Sequence, residues 1–194
     1  MKIVIYFMKY FKSALITFIL FFIIVAAHAQ TEKKLWNAND PLQWSDYHGR
    51  PDKRSPFSAY TYFGLDYSYL RKGNGPYQFT FEVSSYMNKA LSWKRGTPSE
   101  NLLKHEQLHF DIAEYFVRQL LISFGNHTYT SNYKVEIAQV QQQIASLRRG
   151  VEELYDKQTI HSTNREMQAK WDTYVADLLN KNYTLEQAIA NLPK

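Results

Sequence analysis

Apolar and polar residues alternate along two stretches in the first half of the chain, "SAYTYFGLDYSYL" and "YQFTFEVSSYM". In the second, Phe79, Phe81 and Val83 share one face while Gln78, Thr80 and Glu82 take the other. A period of two marks half-buried β-strands. The turn sequence "RKGNGP", residues 71–76, joins the two stretches into an antiparallel hairpin, with "KALSWKR" expected as a third strand. Ahead of them, "LQWSDYHGRP" reads as a strand and turn closing the sheet, centred on Trp44.

From Pro98 onward the period becomes helical. "TPSE" offers a helix start with Pro98 in the first turn, and Gly125-Asn126 ends that helix near Phe124. A second helix, Tyr133 to Leu154, carries Ile137, Val140, Ile144, Leu147, Val151 and Leu154 at alternating three and four spacing. That stripe also suits a coiled-coil dimer, but about three heptads is short, and packing within the chain is expected. "YDKQTIHSTNRE" is read as a break between helices. Thr163 to Glu166 fits a capping box opening a third helix through Trp171 to Leu179, and "TLEQAIANL" is a short last helix. Strands followed by helices, with no internal repeat, predict an α+β fold.

Composition changes this picture at the N-terminus. Residues 1–29 run from Lys2, Lys9 and Lys12 through an apolar stretch to Ala27-His28-Ala29, the pattern of a secretory signal peptide cut before Gln30. The alternative is a retained anchor. With cleavage, residues 30–194 form a single domain with no stable membrane span, exported to the periplasm or beyond. Three of the chain's five net positive charges belong to that leader, which has no acid, so the mature chain carries +2. No basic cluster interleaves with aromatics, and nucleic acid is not an expected partner. The chain has no cysteine, so any metal must be held by His, Asp or Glu.

The stretch "LLKHEQLHFDIAEYF", residues 102–116, supplies candidate chemistry. On a helix, His105 and His109 lie about 40° apart on the stripe that holds Leu102, Ile112, Ala113, Phe116 and Leu120. Lys104, Gln107, Asp111, Glu114 and Arg118 gather on the opposite side, expected to be solvated, with Glu114 and Arg118 as a surface ion pair. Two imidazoles one turn apart can chelate one ion. Glu106, about 100° round from His105, can serve a water on that ion without taking a coordination place. This is the HExxH arrangement of zinc peptidases. Zn²⁺ takes neutral imidazole nitrogens, keeps one position open and acidifies a water there, for which Glu106 is the general base. The third ligand is expected from "YDKQTIHS": His161 is favoured, Asp156 is the alternative, and whichever does not ligate would orient an imidazole or steady the oxyanion.

Three blocks, "LQWSDYHGRPDKRSPFSAYTYFGLDYSY", "LLKHEQLHFDIAEYFVRQL" and "YDKQTIHSTNREMQAKW", resemble the bacterial family known as domain of unknown function 922, secreted proteins expected to be zinc-dependent proteases. The last block is similar to a YDxxTxH pattern that usually continues with glycine, where this chain has Ser162. The resemblance implies His105, Glu106 and His109 as the metal and catalytic set, with the remainder supplied by the late block, which includes Tyr155, Asp156, Thr159, His161, Gln168 and Trp171.

These observations lead to a zincin-like α+β domain, with HExxH on the first of three main helices. The expected function is a secreted zinc metallopeptidase, a hydrolase acting on a peptide or protein substrate. His105, His109 and His161 hold the metal, with Asp156 or Tyr155 as alternative ligand or supporting group. "FTFEVSSYMNKALSW" is the strand expected to align the substrate by backbone pairing. Two other readings are an envelope module that binds peptide or cell wall around a structural metal, and a metal-free helical protein that binds a partner.

Overall fold

The structure, a computed structural model, describes residues 32–194, and the leader expected over 1–29 lies outside the described residues. Among the described residues a short strand, β1 (Lys33–Leu35), comes first, and everything below concerns the compact unit Leu35–Lys194. In chain order follow a 3-10 turn (Trp44–Asp46), β2 (Ala59–Tyr60), β3 (Phe63–Arg71), β4 (Phe79–Asn88) and β5 (Trp93–Lys94). The helices are α1 (Glu100–Asn126), α2 (Tyr133–Thr159), α3 (Arg165–Asn180) and α4 (Leu185–Ala190). The fold is α+β, with a small antiparallel sheet and three main helices. Among the described residues no helix is long and apolar enough to cross a membrane.

β3 and β4 form the expected hairpin, in register Tyr67↔Val83, Tyr69↔Phe81 and Arg71↔Phe79. Phe79, Phe81 and Val83 pack into the main core while Gln78, Thr80 and Glu82 are exposed, as the period of two requires. "KALSWKR" does not extend this hairpin. Ser92 folds back, its N–H and hydroxyl both donating to the Asn88 carbonyl (3.0 and 2.6 Å). The redirected chain gives only β5, which pairs antiparallel with β2 in a separate ribbon, Ala59↔Lys94 and Tyr60↔Trp93. The Trp44 block is likewise a 3-10 turn rather than a strand. Gln43 and Asp46 cap it reciprocally, the Gln43 N–H donating to Asp46 Oδ2 at 3.0 Å.

α1 starts at the N-cap Ser99, whose hydroxyl oxygen accepts from the Leu102 N–H at 3.2 Å, so Pro98 stands just outside the helix rather than in its first turn. This helix is the centre of the molecule, packed on β4 on one side and on α2 and α3 on the other. The main core gathers Leu108, Ile112, Phe116 and Leu120 of α1 with Ile137, Ile144 and Tyr155 of α2 and Trp171 and Val175 of α3. A smaller cluster of Leu42, Tyr47, Met87 and Phe110 seals the sheet side.

Of the face of α1 expected to be solvated, Lys104 is exposed, but Gln107, Asp111 and Glu114 are partly covered. Leu42 N–H donates to Gln107 Oε1 (2.7 Å), Trp36 Nε1 to Asp111 Oδ1 (2.8 Å), and the Ser85 hydroxyl to Glu114 Oε2 (2.7 Å). Glu114 does pair with Arg118 at 2.9 Å; the Arg118 side chain is 42% exposed and that of Glu114 15%, so the pair stands at the margin of the surface. Burial pushes the Asp111 carboxyl above its usual range, against the donors Trp36 and Gln107.

α2 runs on through Thr159, five residues past the expected end at Leu154. Along a straight helix a heptad stripe drifts, so Leu147 swings out to 39% exposure. Tyr155, about five full turns from Ile137 and on the same face, is fully buried. α3 is capped by Asn164 rather than Thr163. The Asn164 side chain accepts from the Met167 N–H (3.2 Å), whereas the Thr163 hydroxyl turns back to the Ile160 carbonyl (2.7 Å).

Candidate metal centre

His105, Glu106 and His109 project from the second and third turns of α1, and Asp156 faces them from the last turn of α2. The helical extension therefore moves Asp156 out of the expected interhelical loop. After Thr159 the chain turns sharply through three consecutive left-handed residues, Ile160 (φ 49°), His161 (φ 47°) and Ser162 (φ 78°). That turn sends His161 back over Asp156.

One oxygen is the focus of the site. Asp156 Oδ1 lies 3.0 Å from His105 Nε2, 3.0 Å from His109 Nε2 and 3.3 Å from His161 Nδ1. His105, Asp156 and His161 each offer a ligand atom within 4.8 Å of the other two, and this group can hold a metal ion. His109 Nε2 meets the same Asp156 oxygen as His105 but stands outside that mutually close group of three. The His105 side chain is 2% exposed, His109 12% and His161 50%, which makes His161 the accessible member.

Hydrogen bonds behind His105 decide its tautomer. Gln168 of α3 donates through Nε2 to Asp172 Oδ1 (2.8 Å) and to the Tyr155 hydroxyl (2.7 Å). A carboxylate can only accept, so the amide NH₂ faces Asp172 and Oε1 faces His105 Nδ1, at 3.1 Å. The imidazole proton is thereby committed to Nδ1, and Nε2 turns a lone pair toward Asp156. Lone pair and carboxylate at 3.0 Å repel unless positive charge lies with them. Imidazolium supplies that charge, and so does a metal cation; the donor set of nitrogens and one carboxylate fits the latter.

The same electrostatics appears in the titration of the groups. Burial works against ionised Asp156, but the His105 and His109 imidazoles beside it outweigh burial and hold the carboxyl well below its usual range. Burial also disfavours charged His109, yet its bond to Asp156 and the charges of Glu106, Asp156 and Glu152 raise it above its ordinary value. Tyr155 is fully buried and stacks on His105, ring centroids 4.5 Å apart, with its hydroxyl reaching the His105 carbonyl at 3.3 Å. It orients the imidazole, and its hydroxyl is engaged with the His105 carbonyl and the Gln168 amide. Phe57 meets His161 edge-on at 5.0 Å.

The site opens into a cleft of about 810 Å³ whose walls include the 56–63 segment, α1 at Leu102, His105, Glu106 and His109, and α2 from Arg148 to Asp156. β4 and β5 do not line it, so the cleft is bordered by β2 and by Phe63 at the start of β3, not by the expected "FTFEVSSYMNKALSW". Glu106 contributes to the wall and not to the metal group; its Oε2 accepts from the Thr61 hydroxyl at 2.6 Å. Arg148 and Glu152 are wall residues that sequence reasoning missed, although they sit eight and four residues before Asp156, at helical spacing on its own face. Burial raises the Glu152 carboxyl against the opposing charges of Arg148 and His109.

Ser162 occupies a conformation that glycine adopts without penalty, at the position where the resembled pattern has glycine. Ser162→Gly is expected to stabilise the protein by about 1 kcal/mol, raising the melting temperature by about 2–4 °C in calorimetry. A lower melting temperature would mean that the serine makes a contribution greater than its backbone strain.

Comparisons with models of known families, with curated proteins and with solved structures find no match for this chain. The resemblance to the domain of unknown function 922 family therefore rests on the three blocks of motif residues.

Proposed function

We propose that this chain is an exported, zincin-like metallopeptidase that hydrolyses peptide bonds, with His105, His109, His161 and Asp156 as the zinc donors and Glu106 as general base. The observation that carries the reading is the convergence of three imidazole nitrogens on Asp156 Oδ1 at the floor of a cleft, with the Glu106 carboxylate beside them and not spent on them. Nitrogen and oxygen donors without thiolate favour zinc among common divalent ions.

Bound zinc supplies Lewis acidity for the scissile carbonyl and for a water. The chain's own residues do the rest. Gln168 and Asp172 hold His105 in the tautomer that presents Nε2, and Tyr155 fixes its plane. Glu106 takes a proton from the attacking water and returns it to the departing amine nitrogen. β2, at the cleft margin, offers backbone to an extended peptide.

A structural-metal module is the rival reading, and one observation favours it: four side chains converge, as in closed sites, where a catalytic site keeps three and leaves a position open. The exposure of His161 and its seat on a strained turn suit a donor that withdraws when substrate enters.

The test is metal exchange on residues 30–194. Chelation is expected to abolish cleavage of an unstructured protein, with zinc restoring it, and to lower stability by about 2.7 kcal/mol relative to free zinc held 100-fold above its dissociation constant. In melting temperature that is a drop of about 5–10 °C. Cleavage and melting indifferent to chelator would sink the proposal; a shifted melting point without any cleavage would leave the structural-metal module.

A further inference from the structure

The turn Trp44–Asp46 has no part in the chemistry described so far, yet the residue that follows it is linked to the proposed base. Tyr47, 7% exposed, places its hydroxyl 2.8 Å from Thr61 Oγ1, and Thr61 places its hydroxyl 2.6 Å from Glu106 Oε2. The direction of these bonds follows from the acceptor at the end. A carboxylate accepts only, so Thr61 spends its single proton on Glu106, and its oxygen then receives the proton of Tyr47. Burial, then the charge of Glu106, keep Tyr47 well above the usual phenol range and hence a permanent donor.

We propose that Tyr47 and Thr61 are positioning residues for peptide hydrolysis, a directed chain of two hydroxyls that commits Glu106 Oε2 and aims its other oxygen at the cleft. The inference rests on the reading of Glu106 as general base. Among the described residues Oε1 of Glu106 takes no hydrogen bond, so the carboxylate is fixed at one oxygen and available at the other.

Both hydroxyls are held to one turn. The His48 N–H donates to the Lys89 carbonyl (3.0 Å) and the Gly49 N–H to the Ser92 carbonyl (2.7 Å), which pins the Tyr47 backbone beside residues 88–92. Gly49 is required for that approach, since an added Cβ would lie 2.7 Å from Ser92 O and 2.8 Å from Ala90 O. On the Thr61 side, the Tyr62 N–H donates to Ser92 Oγ (2.9 Å) and the Asn88 N–H to the Tyr62 carbonyl (2.9 Å). Fully buried Ser92 thus sets the spacing of both links. A site whose base must sit within a fraction of an ångström of the reacting water gains rate from such a frame.

The experiment is the series Thr61→Val, Thr61→Ser, Tyr47→Phe and the double variant Tyr47→Phe/Thr61→Val, each as the zinc-loaded mature chain. Thr61→Val is expected to lower kcat by about 10²-fold with KM and metal content unchanged, and Thr61→Ser to recover most of it. Tyr47→Phe is expected to lower kcat less, and to add nothing in the Thr61→Val background, because its effect passes through Thr61. Crystals of Thr61→Val are expected to show the Glu106 side chain in more than one rotamer, against a single rotamer in the unaltered chain. A Glu106 side chain unmoved in those crystals, or additive losses in the double variant, would overturn the proposal. Absence of hydrolysis in the unaltered chain would remove the reading of Glu106 as base, and the rotamer comparison would still decide whether the two hydroxyls hold the carboxylate.

Discussion

Glu106→Gln is expected to lower peptide hydrolysis by about 10²–10⁴-fold while bound zinc stays at its unaltered stoichiometry. The amide has the shape of the carboxylate and keeps an oxygen to accept from Thr61, so the frame around it survives. What it loses is the capacity to take a proton. Because Glu106 stands beside the donor group and not within it, the metal has no reason to leave. Steady-state kinetics with elemental analysis of the same samples separates the outcomes. Retained hydrolysis would remove Glu106 from the mechanism, and lost metal would make it a ligand and favour a closed structural site. The loss should appear in kcat, since proton transfer is an interaction of the transition state and not of substrate binding.

The second large effect is on stability. Trp171→Ala is expected to cost about 3–5 kcal/mol in urea unfolding. Trp171 is fully buried, its indole N–H donates to Gln158 Oε1 at 2.7 Å, and its ring lies 5.1 Å from Tyr155 and 5.4 Å from Tyr174. The substitution therefore leaves a cavity between α2 and α3 and strips a donor from Gln158. Tyr155 lies between that cavity and His105, so zinc affinity should fall with stability. Trp171→Phe, which refills most of the volume, should restore much of both. A loss below about 1 kcal/mol would mean that the two helices do not depend on this side chain.

Some of the site was legible before any coordinates. A period of two assigned the inward face of β4 through Phe79, Phe81 and Val83, and helical spacing brought His105 and His109 together because side chains one turn apart share a face. The last block drew attention to Asp156 and His161, and both reach the site. Their placement was not legible. Nothing in "YDKQT" distinguishes a loop from a last helical turn, and the stop at Ile160 is made by left-handed residues that are neither glycine nor asparagine. Glu114 and Asp111 were misjudged because a helical wheel shows which residues share a face and not what covers that face.

By itself the sequence determined which residues could share a strand face or a helical stripe, and which carried metal-binding or proton-handling chemistry, since these follow from backbone periods and side-chain type. Only the tertiary structure decided that Asp156 becomes the meeting point of three imidazoles, that α1 is covered on both sides, and that Tyr47 and Thr61 reach Glu106. Those partners come from different elements, Thr61 and Glu106 being 45 residues apart in the chain. The packing of helices and sheet chooses among many such encounters, and local periodicity does not.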